Sequence, residues 1–177
     1  MRVSFLSYLR PLLVTILLLI LCEVLSTTLL PLMGLQSYRI PFNILIVLYF
    51  GFKVNSPFTA VMILIVQYFH SFFSIEGWEL GTIAGIFIYI LMGLLRDLIH
   101  FNSNIVTILV TQVFQVVWFV IVTAILYIKY DNLDYIINKF WKFVPESIVL
   151  SLVAPFIFFL LDTIWAIKES RSLGDRA

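Results

Sequence analysis

The sequence predicts an all-α, polytopic membrane bundle. Six long apolar runs fill nearly all of its 177 residues, 62% of those residues are hydrophobic, and the mean hydropathy is +1.09. Only 12% are charged, far from the composition of a water-soluble fold. The segments between runs are too short to hold domains of their own. One transmembrane domain over residues 1–168 and a short polar cytoplasmic tail over 169–177 are expected.

The runs cover residues 12–30, 41–54, 57–73, 80–95, 105–128 and 145–167. A helix needs about 20 mostly apolar residues to cross ~30 Å of hydrocarbon, so six spans are expected and five are possible. In the first run, Arg2 and Arg10 followed by residues 12–21 imitate a secretory signal, but no small-residue cleavage site follows. Leu21, directly before Cys22, also argues against lipoprotein processing, so this run is read as an uncleaved first helix. Cys22 is the single cysteine, so no disulfide within the chain is possible.

The second run is the short one. It crosses if Tyr38 and Arg39 sit in the outer interface, Lys53 extends toward the inner headgroups and the bilayer thins locally. Without it, five spans remain. The third run ends in residues 74–79, which hold two acids and no base and fit the outer face. Between the fifth run and the sixth, residues 129–144 read as a loop with three lysines, whose Tyr135, Ile136, Phe140 and Trp141 suggest a short amphipathic helix on the outer leaflet. A cytoplasmic N-terminus with six spans puts seven of the eleven Lys and Arg inside, the bias that places both termini in the cytoplasm.

Composition and motifs narrow the function classes. Net charge is +1 and no basic cluster is interleaved with aromatics, so nucleic acid is not an expected partner. His70 and His100 lack metal-ligand spacing, and neither a nucleophile elbow nor a phosphate loop is present. No catalytic machinery, cofactor or metal is expected.

Polar residues inside the runs carry the remaining signal, because each must find a partner away from lipid. Thr15, Leu19, Glu23 and Thr27 recur at four-residue spacing, as do Thr107, Thr111 and Gln115 with Gln112 beside them. Gln67 and His70 fall on one side of the third run. Ser147, Ser151, Pro155 and Asp162 share a face of the sixth. Glu23 and Asp162 have two readings. They serve a proton relay or substrate site, or Glu23 bonds across the bundle as a neutral acid while Asp162 is solvated, with no intramembrane base matched to either. Gln67, His70, Gln112 and Gln115 line a central pocket, or they hold helices together through bonds worth about 0.6 kcal/mol each.

The fourth run bears a small-residue ridge. Gly77, Gly81, Gly85 and Gly93 share one face, and the Gly81–Gly85 spacing lets another backbone approach closely, whether from this bundle or from another protein. The run closes with Gly93-Leu94-Leu95-Arg96-Asp97, an adjacent base and acid at the cytoplasmic end.

Two of these segments together carry a resemblance. Pro41-Phe42-Asn43-Ile44-Leu45-Ile46-Val47-Leu48-Tyr49-Phe50-Gly51, followed by a short turn, another apolar run and a glycine-bearing helix ending Gly-Leu-Leu-Arg-Asp, resembles the rod shape-determining protein MreD family. The resemblance covers roughly residues 10–168 and extends to Ala154-Pro155 in the last run. It departs after Asp97, where Leu98-Ile99-His100-Phe101 replaces the family's small residues, and in the lysines of residues 129–144.

The resemblance implies a non-enzymatic inner-membrane scaffold of the bacterial elongation machinery. Such a protein binds MreC, a single-span protein with a periplasmic coiled coil, and helps link actin-like MreB to peptidoglycan synthases. It further implies close helix packing at Gly81, Gly85 and Gly93, helix entry set by Pro41, a lipid-facing partner groove between helices bearing Gly85, Gly93 and Pro155, and a cytoplasmic contact surface at Arg96 and Asp97. The family is also similar in fold to the substrate-binding subunits of energy-coupling-factor vitamin transporters. That alternative implies a pocket among Glu23, Gln67, Gln112 and Gln115 and a docking face of small residues on the first helix, where this chain has no Ala or Gly before Gly34.

Overall fold

The computed structural model describes residues 6–54, 56–74, 77–96, 98–99, 103–130 and 133–166. They form six helices: α1 Leu6–Leu32, α2 Asn43–Lys53, α3 Thr59–Ser71, α4 Gly77–Leu95, α5 Asn104–Tyr130 and α6 Leu133–Ala166. Four of them, α1, α4, α5 and α6, are long and apolar enough to cross a membrane. The chain is therefore an all-α bundle of membrane-spanning type. Its near end holds the start of α1, and its far end holds residues 33–42.

α2 departs most from expectation. At 1.5 Å per residue its 11 residues reach only about 17 Å, little more than half of ~30 Å of hydrocarbon. Ten of the 11 are buried, from Asn43 to Phe52. A helix apolar on all sides is a core helix. The other five helices all pack against it, so local bilayer thinning is not required to accommodate it.

Local chemistry sets both ends of α2. Pro41 has no N–H to offer, and its carbonyl accepts from the Ile44 N–H at 3.3 Å as the first turn forms. At the other end Val54 is extended, and the Thr59 hydroxyl lies 3.2 Å from the Val54 carbonyl and 2.8 Å from that of Ser56. Those carbonyls sit among buried residues, and that of Ser56 also accepts from the Thr59 N–H at 3.2 Å.

The near end is closed by aromatic contacts. The Trp165 ring meets Phe50 edge-on at 5.3 Å and Tyr8 at 6.2 Å, and its indole N–H donates to the Thr15 hydroxyl at 3.1 Å. Beside it Lys53 Nζ lies 2.6 Å from Asp162 Oδ2, with the ammonium 5.8 Å from the Tyr49 ring and 5.9 Å from that of Phe158. This corrects the expectation that no base is matched to Asp162. Lys53 and Asp162 are 109 residues apart in sequence, and only folding brings them together.

The glycines divide. A Cβ on Gly81 would lie 2.8 Å from Gln67 Oε1, and one on Gly85 would touch Gln67 and Ile63, so these two seat α4 against α3 within the bundle. A Cβ on Gly93 would meet nothing within 4 Å, so this glycine does not seat α4 against a neighbour in the bundle. The tighter approach is at Gly51 of α2, where a Cβ would overlap the Cε and Sδ of Met92 on α4.

Residues 133–144 are not a loop. They are the first turns of the 34-residue α6, which continues through Pro145. The missing Pro145 N–H affects a turn whose Trp141 is 68% exposed, and Phe143 stacks on Phe119 of α5 at 4.4 Å to hold the extension in place. The 169–177 tail lies outside the described residues.

Because Gly51 abuts Met92, Gly51→Ala is expected to lower stability by about 1–3 kcal/mol. Gly93→Ala is expected to be neutral or stabilising by up to about 1 kcal/mol. Thermal unfolding of both variants in one detergent checks the contrast.

Candidate functional site

A cavity of about 580 Å³ opens at the far end of the bundle, directly over the start of α2. Pro41, Asn43 and Ile44 form its floor, and Glu23 and Ser26 of α1 contribute one wall. Another wall comes from His70 at the end of α3 with Gly77 and Gly81 at the start of α4. Trp118, Phe119 and Val122 of α5 add an apolar side. Tyr135, Asn138, Lys139, Lys142 and Glu146 of α6 complete the ring, and Arg39 lies over it.

The loop carrying Arg39 is tied down at two points. Its backbone N–H donates to Glu146 Oε1 at 2.7 Å, and its Nη1 donates to the Phe73 carbonyl at 2.9 Å. These bonds hold residues 37–41 across α3 and α6.

Glu23 and His70 meet in the wall, with Glu23 Oε1 and His70 Nδ1 2.9 Å apart. Glu23 is 4% exposed, so its carboxyl group depends on that partner. A single shared proton satisfies the contact, whether it rests on the acid or on the ring. The ridge expected along α1 is buried at Thr15, Leu19 and Glu23. Thr27 is exposed and lines the cavity beside Ser26, and its hydroxyl donates to the Glu23 carbonyl at 2.9 Å.

Beneath Glu23 and His70, Asn43 Nδ2 donates to Gln67 Oε1 at 3.0 Å. Both side chains are 1% exposed, yet Asn43 Oδ1 and Gln67 Nε2 have no hydrogen-bond partner. An orphaned amide oxygen on the floor of a cavity is an acceptor without a donor.

The expected polar pocket is split into separate networks. Gln112 and Gln115 do not reach the cavity. Gln112 Nε2 donates to the Ser147 hydroxyl at 3.1 Å, Gln115 Nε2 donates to that of Ser151 at 2.9 Å, and Ser151 donates back to Gln112 Oε1 at 2.7 Å. They join α5 to α6, as interhelical side-chain bonds in membranes do. Asp162 is at the opposite end with Lys53. Pro155 is half-buried inside α6, Arg96 lies just past α4, and Asp97 falls outside the described residues.

The sequence reading put Tyr135 in a short amphipathic helix and noted the lysines of residues 129–144, but it did not name Tyr135, Asn138, Lys139, Lys142 and Glu146 as one site-lining stripe of α6. These positions follow helical spacing, a signal obscured by starting the last helix at Pro145. Asn43 was passed over as well, although a polar residue opening an otherwise apolar run points to such a role.

Among the described residues no group of three or more His, Cys, Asp or Glu is placed to hold a metal ion. The cavity therefore offers hydrogen bonds, charge and aromatic surface. Fold and site together define a multi-span α-helical membrane protein with a polar chamber at one end. Comparison with protein-family models, with curated proteins and with solved structures finds no match.

Glu23→Leu strands the His70 ring nitrogen and is expected to cost about 1–3 kcal/mol, whereas Glu23→Gln keeps a partner and is expected to cost less than about 1 kcal/mol. Chemical unfolding in mild detergent, read by tryptophan fluorescence, measures the difference.

Proposed function

We propose that this protein is a non-enzymatic scaffold of the bacterial inner membrane, which gathers the cell-elongation machinery by binding a single-span partner such as MreC. The observation that carries this reading is that the two segments resembling MreD form one packed unit. Residues 41–51 hold most of the buried α2, and the glycine-bearing segment that ends Gly-Leu-Leu-Arg-Asp is α4, seated on it where Gly51 abuts Met92.

α4 then supplies the partner surface. Its Ile83, Phe87, Ile90 and Leu94 form an exposed apolar stripe, and Gly93 leaves a notch beside it with open space in front. Without a hydrophobic driving force between helices in lipid, association depends on close packing, which such a notch permits. Arg96, just past this helix, then belongs to the cytoplasmic contact surface, whose other expected member, Asp97, lies outside the described residues. MreB and the peptidoglycan synthases are reached through the assembled complex.

The second reading is the substrate-binding subunit of an energy-coupling-factor vitamin transporter. The far-end cavity favours it. Its expected glutamine pocket is not formed, and α1 carries no small-residue docking face.

Gly93→Trp is expected to reduce co-purification of the single-span partner from native membrane at least about tenfold, the effect of losing ~1.4 kcal/mol of packing, while leaving the thermal midpoint unchanged. Undiminished capture by the folded variant, or recovery of an ATPase pair in place of cell-wall synthesis proteins, rejects the scaffold reading.

A further inference from the structure

We propose that the far-end cavity is a binding site for a small organic anion with a planar apolar body and a hydrogen-bond donor at its inner end. The proposal rests on the chamber and is independent of the scaffold reading, while it names the ligand chemistry that the second reading requires.

The two depths of the cavity ask for different chemistry. Three bases, Arg39, Lys139 and Lys142, lie in its lining against two acids, Glu146 in the same region and Glu23 in the inner wall, an excess of basic groups among the described residues that comes from the 37–41 segment and α6. A carboxylate, sulfonate or phosphate meets its complement there. Trp118, Phe119 and Phe143 supply aromatic surface for an apolar body.

The inner end is an acceptor. Asn43 is 1% exposed, lines the floor and has an Oδ1 with no partner, and the Glu23–His70 pair stands in the adjoining wall. A buried acceptor left unpaired is costly, and a ligand N–H or O–H reaching the floor removes that cost. At about 580 Å³ the chamber lies within the ~300–1,000 Å³ range of small-molecule sites. The anion can come from water or from an anionic lipid of the surrounding leaflet.

Indole-3-propionate, which joins a carboxylate to an aromatic body and a ring N–H, is the probe. The full chain is placed in nanodiscs of phosphatidylcholine, and binding is followed by isothermal titration calorimetry. Tryptamine, with the opposite charge, and 1-methylindole-3-propionate, without the donor, serve as comparisons. The site predicts that each binds at least about tenfold more weakly than indole-3-propionate, the usual effect of losing one charge-assisted or buried hydrogen bond. The Lys139→Gln, Lys142→Gln double variant, with both changes in the α6 extension, is expected to weaken the probe about tenfold or more and to leave the thermal midpoint of the empty protein unchanged.

Nanodiscs of phosphatidylglycerol distinguish the sources. Competition there and not in phosphatidylcholine assigns the site to lipid headgroups, and equal binding in both assigns it to a soluble anion; either result supports an anion site. Equal affinity for indole-3-propionate and tryptamine, or an undiminished affinity in a folded lysine double variant, overturns the proposal. Should the double variant fail to fold, Asn43→Asp supplies the second reading. It is expected to weaken indole-3-propionate and to leave tryptamine as before, and a weakening of both alike overturns the proposal.

Discussion

The burial of α2 is the constraint on which the rest of the structure depends. A helix of about 17 Å cannot carry its own ends to both faces of ~30 Å of hydrocarbon. Surrounding it with protein solves the problem, because its terminal backbone groups then meet side chains instead of lipid. Thr59 closes one end. At the other end the neighbours overshoot: α1 has 27 residues and α6 has 34, and both continue past the point where α2 begins. The cavity is the space left above the short helix by its longer neighbours.

Polar groups then distribute by depth. The α5–α6 seam satisfies Gln112 and Gln115 with serines, so those side chains fix helix pairing and leave nothing over for a ligand. The Lys53–Asp162 pair closes the near end at partial exposure, where such pairs contribute at most about 1 kcal/mol. Its value is geometric, because it ties the end of α2 to α6. At the far end the balance is different. Asn43 and Gln67 satisfy only half of each other's amide groups, and Asn43 with its unsatisfied oxygen belongs to the lining of the cavity.

Much of the helical layout was legible in the sequence, since apolar runs locate helices in lipid with little ambiguity. The burial of α2 was not. A 14-residue apolar run looks the same whether lipid or protein surrounds it, and the decision lies in contacts with helices distant in the chain. Of the site, Glu23 and His70 were visible as membrane-embedded polar groups, but their pairing joins residues 47 apart and no periodicity encodes it. The continuation of α6 through Pro145 was hidden by a rule that usually holds. Proline favours the first turn of a helix, and here Phe143 stacking on Phe119 keeps the helix intact on both sides of it.

α4 links the two proposed surfaces. Gly81 lines the cavity, while Gly93 faces open space twelve residues later, roughly 18 Å along the axis. A helix docked at Gly93 therefore does not touch a solute held over Asn43. Any influence of one on the other has to pass through the position of α4 against α2 and α3, which is fixed by Gly51 on Met92 and by Gln67 between Gly81 and Gly85. Interfaces packed that closely are bistable or rigid and do not deform gradually. Coupling between the surfaces thus requires a second packing of α4, and a bundle with only one packing keeps partner binding and solute binding independent.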